Sequence, residues 1–179
     1  MTNAPAGRLS ATPIHSSGGE PPVLFVDVDG VISLFGFRPD APLPGNFHQV
    51  DGIVHCLSHR AGERLGRLAE RFELVWATGW EEKANEYLPR LLGLSAPALP
   101  VLTFDGRAVW GTAHWKLSAI EEYAGDRPVA WIDDSLDECC ERWARERAAP
   151  TLLVRTRTGD GIEDEHVMRL ILWADELGP

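Results

Sequence analysis

Residues Val23 to Val31 read Val-Leu-Phe-Val-Asp-Val-Asp-Gly-Val, an apolar run that leads straight into two carboxylates one residue apart. A run of that length, rich in β-branched and aromatic types, suits a strand buried on both faces of a parallel sheet. Ligands bind such sheets beyond the carboxyl ends of the strands, where the strand order reverses. Asp27 and Asp29 belong at that end, and Gly30 lets the chain turn away. Two acids placed there are costly unless something positive, such as a divalent cation, joins them. Taken alone, the stretch is explained equally well by an Asp-Gly turn after an ordinary strand. The rest of the chain has to decide.

Downstream, strands alternate with helices. Ile32 to Pro44, with Gly36, Pro39, Pro42 and Pro44, reads as irregular structure. Phe47 to Cys56 reads as a β-hairpin around Asp51-Gly52, a strong two-residue turn signal. That loop pairs Val50 with Ile53 and sets His48 opposite His55. The two histidines are read as a solvent-facing cross-strand contact, because nothing else there marks a metal site. Ser58 is the expected cap of a helix running to about Arg71, with Ala61, Leu65, Leu68 and Phe72 on one face.

Glu73 to Ala77 is a second strand, which delivers Thr78 and Gly79 at its carboxyl end. Trp80 to Leu92 has helical spacing and ends near Gly93. Pro100 to Phe104 is expected as a third strand, turned by Asp105-Gly106. Lys116 to Tyr123 begins another helix. Val129 to Ile132 is a fourth strand ending in Asp133 and Asp134, and Leu136 to Arg147 is helical. Thr151 to Val154 makes a fifth strand, and Glu163 to Leu177 a last amphipathic helix. This alternation predicts an α/β fold with a doubly wound parallel sheet. Three of the strands end in polar groups, and all three ends belong at one edge.

Bulk properties narrow the function classes. A formal net charge of -10 argues against a broad, sequence-independent grip on nucleic acid, which needs many Lys and Arg contacts to phosphates. Residues 1–22, rich in Ala, Gly, Ser and Pro, read as a flexible tail without a signal-peptide core, and 23–179 as one domain. The three cysteines, Cys56, Cys139 and Cys140, have no repeated spacing and are expected as reduced thiols in a cytoplasmic protein. Nothing is apolar for long enough to span a bilayer, so no membrane partner is expected.

One site would collect Asp27 and Asp29 from the first strand, Thr78 from the second, Lys116 from a helix start, and Asp133 and Asp134 from the fourth. Carboxylates at that density suit magnesium, a hard cation that takes oxygen ligands. A threonine hydroxyl and a lysine ammonium suit phosphoryl oxygens. The inventory is that of metal-assisted phosphoryl transfer. Each member has a plain structural role available: Thr78 as a helix cap, Lys116 as a solvated helix residue, Asp133-Asp134 as a capping pair. Their joint occurrence speaks against three separate coincidences.

In this order, Asp27-Val-Asp29-Gly-Val31, Thr78, Lys116 and Asp133-Asp134 resemble the haloacid dehalogenase superfamily of phosphatases and phosphotransferases, from Val23 to about Val154. The resemblance implies a Rossmannoid three-layer sandwich and an Mg2+-dependent phosphomonoester hydrolase. It implies Asp27 as the nucleophile that forms an aspartyl-phosphate, and Asp29 as general acid and then base. Thr78, with Gly79 beside it, and Lys116 would bind the phosphoryl group. Asp134, Asp27 and the Asp29 backbone carbonyl would ligate the metal, with Asp133 assisting directly or through water.

In that family inserted cap domains choose the substrate. Neither the interval from Val31 to Thr78 nor that from Thr78 to Lys116 has room for a large one, so a small β-hairpin flap and an open site are expected. The wording Trp76-Ala-Thr-Gly-Trp80 and Trp131-Ile-Asp-Asp134 looks similar to small actinobacterial members, some linked with RNA-repair systems. The implied partner is a phosphorylated small molecule or a nucleic-acid terminus. For a terminus, Arg38, Arg60 and Arg107 would have to gather at the opening, and Trp80, Asn85, Phe47 and His48 are candidates to line it.

The competing reading is a phosphate- or nucleotide-binding regulatory module of the same fold with little turnover. Asp29 favours hydrolysis over a signal-receiver domain, which lacks an acid two residues after its phosphorylated Asp. A structural interaction domain, with Leu and Trp of the final helix as its partner surface, is a third reading. The oligomeric state is not legible in the sequence.

Overall fold

A computed structural model of the chain describes residues 20–38, 40–104 and 111–178. Its centre is β1 (Val23–Val26), whose four residues are all buried. β1 is followed by the short β2 (Ser33–Leu34), the hairpin strands β3 (Gly45–Val50) and β4 (Ile53–Ser58), and α1 (Ala61–Leu68). Then come β5 (Glu73–Trp76), α2 (Lys83–Leu92), a 3-10 turn at His114–Lys116, α3 (Leu117–Ala124) and β6 (Val129–Asp133). α4 (Glu138–Glu146), β7 (Thr151–Arg155) and α5 (Asp164–Glu176) complete the chain.

β1 pairs in parallel with β5 on one side and β6 on the other, and β7 pairs in parallel with β6. The order β5-β1-β6-β7 therefore reverses at β1, which places a switch point at the end of that strand. Alternation along β1 builds both cores. Leu24 and Val26 pack with Leu65, Leu68, Leu88 and Leu170, from α1, α2 and α5. Val23 and Phe25 pack with Ile120, Ala124 and Cys140, from α3 and α4. Helices thus cover both faces, as the doubly wound α/β reading expects. The fully buried Trp76 and Trp131 anchor one core each. Truncating either to Ala removes contacts of the kind that cost about 3–5 kcal/mol.

Between β1 and β5 the chain builds a second, antiparallel sheet of order β2-β4-β3. The hairpin turn falls at Asp51-Gly52, with Val50 opposite Ile53 and His48 opposite His55. Both turn residues take positive φ, 50° and 81°, as a two-residue primed turn requires. No large cap domain is present among the described residues.

Several element boundaries differ from expectation for identifiable reasons. Pro100 to Phe104 is not a strand: only Val101 bridges Trp76. Pro100 has no N–H to donate, and the Phe104 N–H goes to Glu81 Oε1 at 2.9 Å instead of to the sheet. Ser58 ends β4, and α1 starts only at Ala61, without a side-chain cap. α2 starts at Lys83, because Glu81 takes a positive φ of 48° and makes Trp80 to Glu82 a turn. The irregular Ile32 to Pro44 stretch includes β2, too short to carry a periodic signal. Asp105-Gly106, Arg107 and residues 1–19 of the expected tail lie outside the described residues. No helix among the described residues is long and apolar enough to cross a membrane.

Candidate active site

Asp27 continues β1 by one residue, its N–H donating to Ile132 O at 3.1 Å, and Ala77 is held to Val26 O at 2.9 Å. Parallel pairing therefore brings Asp27, Thr78 and Asp133 to one edge. Gly30 turns the chain there with φ +73°, and a Cβ on it would lie 2.5 Å from Asp134 Cγ. Only glycine lets the turn after Asp29 and the Asp134 side chain occupy adjacent space.

Asp27, Asp133 and Asp134 offer oxygens that all lie within 4.8 Å of one another. Among the described residues two other groups of ligand-type side chains, His114-Asp137-Cys139 and Glu163-Glu165-His166, are more exposed, and of the three groups the acid trio alone has two buried members. Lys116 enters from the 3-10 turn before α3, itself buried, with Nζ 2.7 Å from Asp133 Oδ2 and 3.0 Å from Asp27 Oδ1. The other Asp133 oxygen accepts from the Ser135 N–H at 2.9 Å, so both its oxygens are engaged inside the protein.

The electrostatics follow from burial. Desolvation pushes Asp27 up to about 7, with Lys116 pulling it down and Asp133 adding to the rise. Burial would lower the Lys116 ammonium, but Asp27 and Asp133 outweigh it and raise its pKa. Asp134 is raised by burial first and by its neighbour Asp133 second. One lysine thus faces three acids, an excess of negative charge that an oxygen-preferring divalent cation would neutralise. The donor set fits such an ion.

Asp29 turns the other way. Its Oδ2 accepts from Trp80 Nε1 at 2.9 Å, and its Oδ1 lies 3.9 Å from His55 Nδ1. Its side chain is 40% exposed, so a ligand can reach it. Thr78 is buried, and its Oγ1 accepts from the Trp80 N–H at 3.3 Å; Gly79 beside it is exposed. The structure thus brings Asp27, Lys116, Asp133 and Asp134 into direct proximity. It sets Thr78 and Gly79 at the end of the neighbouring strand and Asp29 on the flap side.

The histidine expectation is corrected. His55 is not solvent-facing: its side chain is 14% exposed, bonds Ser33 Oγ at 2.9 Å and meets the Trp80 ring edge-on at 4.5 Å. The hairpin face carrying Ser33, His55 and Leu57 is turned inward. Phe47 and Val54 lie on the outer face, 56% and 63% exposed, so Phe47 does not line the opening. His48 lines a separate cavity of about 110 Å³ with His59 and Leu92. Asn85 is also corrected. It is spent on structure, accepting from Trp76 Nε1 at 3.1 Å and the Leu99 N–H at 2.9 Å while donating to Leu99 O.

Arg38 pairs with Asp40 at 2.7 Å and Arg60 with Asp164 at 2.8 Å, so they do not gather at the opening. The cysteines divide as packing suggests: Cys140 is buried, its thiol pushed up to about 12 by desolvation, while Cys139 is exposed. A larger cavity of about 510 Å³, lined by Glu121, Gly125 and Ala149, lies at the opposite edge of the sheet and includes none of the four acids.

Two contributors escaped the sequence reading. Thr156, just beyond β7, is buried and donates to Gly30 O at 2.8 Å, fixing the turn after Asp29. The signal was the one used for Thr78, a polar residue at a strand's carboxyl end. Ser33, which fixes His55, had no signal beyond its place in an irregular stretch.

A family model described as "HAD domain in Swiss Army Knife RNA repair proteins" matches residues 23–167. Among solved structures, a chain in "Structure of the Pnkp1/Rnl/Hen1 RNA repair complex" is similar with a TM-score of 0.47 and 20% identity. The likeness covers 86% of this chain and 48% of that one, so this chain spans about half of its length. No curated protein matches.

Proposed function

The chain belongs to the family described as the HAD domain in Swiss Army Knife RNA repair proteins, and on that premise we propose that it is a magnesium-dependent phosphomonoester hydrolase working through an aspartyl-phosphate on Asp27. The observation that carries this reading is the grouping of Asp27, Asp133 and Asp134 around buried Lys116, with a reachable acid, Asp29, two residues beyond Asp27.

Asp27, Asp134 and the Asp29 backbone carbonyl would hold the magnesium ion. Asp133, both of whose oxygens are already bonded, would act mainly by fixing Lys116. When bound, the ion offsets the charge of the acids and of the phosphoryl oxygens. Lys116 holds the phosphoryl group and keeps Asp27 aimed, and Thr78 with Gly79 binds it from the next strand. An Asp27 oxygen attacks phosphorus as the bond to the leaving oxygen breaks, and Asp29 gives that oxygen its proton. Asp29 then takes a proton from water as the water oxygen attacks the same phosphorus and the bond from phosphorus to the Asp27 oxygen breaks. Inorganic phosphate leaves, and Asp27 and Asp29 are restored.

The family description favours a phosphorylated nucleic-acid terminus over a small metabolite. Three unpaired cysteines accord with a reducing, cytoplasmic setting. The test is hydrolysis of an aryl phosphate with magnesium, beside Asp27→Asn and Asp29→Asn. Both variants should lose about 10²-fold or more of the parent's turnover. Turnover that survives in Asp27→Asn overturns the nucleophile assignment.

A further inference from the structure

We infer that Trp80 is a positioning residue for Asp29: its indole N–H holds one carboxylate oxygen so that the other is the oxygen that gives and takes the proton. This rests on the hydrolase reading above. The contact is direct, Nε1 to Oδ2 at 2.9 Å. Trp80 is itself fixed at both ends. Its backbone N–H donates to Thr78 Oγ1 at 3.3 Å, and its ring meets the His55 edge at 4.5 Å, with His55 tied to Ser33 Oγ at 2.9 Å. The turn at Trp80 to Glu82, forced by the positive φ of Glu81, puts the indole over the flap side of the edge rather than on α2.

The chemistry follows from the donor count. An indole nitrogen only donates, so it holds Oδ2 as an acceptor and cannot itself supply the proton. Oδ1 is left: His55 is 3.9 Å away, beyond hydrogen-bond length, and engaged with Ser33. The proton passes from Oδ1 to the leaving oxygen as the phosphorus–oxygen bond breaks, and returns to Oδ1 from the attacking water. One side chain thereby sets the spacing between Thr78, which faces the phosphoryl group, and the acid that faces the leaving group.

The test separates positioning from simple support. Trp80→Phe keeps a ring beside His55 and deletes the donor. kcat/KM reports the steps up to loss of the leaving group. An alkyl phosphate needs a proton on its leaving oxygen, whereas p-nitrophenolate departs without one. The variant should lose about tenfold more kcat/KM on glycerol 3-phosphate than on p-nitrophenyl phosphate. Equal losses on both substrates overturn the positioning role alone, and a parent without turnover overturns the hydrolase reading and this role together. Should Trp80→Phe fail to fold, the indole N–H signals of the parent decide. Among seven tryptophans, Asp29→Asn should move a single indole signal well beyond the others. No such movement overturns the contact.

Discussion

The two sheets of this protein hold their polar groups by different means. In the parallel sheet every residue of β1 and β6 is buried, and the charges at its edge are fixed by burial and by one another. In the antiparallel flap burial is uneven, with Cys56 and Leu57 buried and Phe47, Ile53 and Val54 more than half exposed. Its tip is tied to α2 through Asp51, which pairs with Lys83 and accepts from Tyr87 Oη at 3.0 Å. Charge pairs of the first kind are costly to break, and surface contacts of the second kind contribute little. The parallel sheet therefore carries the fixed charges, and the flap, through Ser33 and His55, packs against Trp80 in the turn after β5.

The sharpest way to break this contrast is Lys116→Met without magnesium. It leaves Asp27 and Asp133 buried without their ammonium. A loss of about 3–5 kcal/mol in urea unfolding at pH 7 is expected, and with magnesium restored the variant's turnover should be abolished. Stability equal to the parent's would show that the edge is not held by charge.

A smaller effect, on the order of 2–4 kcal/mol, belongs to Asp27. Its folded pKa of about 7 stands above the ordinary 3.8. The metal-free protein binds the Asp27 proton more tightly folded than unfolded. The stability this gives is fully present below pH 3.8 and is lost as the pH rises to about 7. Asp27→Asn should flatten that slope and raise the metal-free melting temperature at pH 7, and magnesium should raise the parent's but not the variant's to the same extent. A parent whose stability climbs between pH 4 and 7 through this group breaks the account.

The least effect is expected from Lys83→Met with Tyr87→Phe, which removes both ties of the hairpin tip and leaves the Asp51 backbone, at φ 50°, undisturbed. Surface pairs of this kind should leave the unfolding midpoint within the scatter of ordinary surface substitutions. A large shift would mean that the flap, too, is structurally essential.

What the sequence revealed follows the same division. The parallel sheet and the hairpin register were legible because period and turn chemistry are local: Asp51-Gly52 alone sets Val50 against Ile53. The edge positions of Asp27, Thr78, Lys116 and Asp133 followed from the strand–helix alternation. The facing of the hairpin did not. Both of its faces carry polar and apolar residues, and only packing against Trp80 and α2 turns His55 inward. Pro100 to Phe104 looked like a strand until a distant glutamate took its N–H, and Trp80 looked helical until the turn at Glu81 intervened. Each miss involves a partner far along the chain or a single backbone angle.

The contact between Gly30 and Asp134 has a consequence for how this chain can vary over generations. A single added methyl at Gly30 would collide with Asp134 Cγ, Cβ and Oδ2, at 2.5, 2.7 and 2.9 Å. A lineage that enlarged residue 30 would have to shorten residue 134 in the same step, giving up a carboxylate, and shortening residue 134 first gives up the same group. Residues more than a hundred positions apart are thus bound into one heritable unit, retained together or surrendered together.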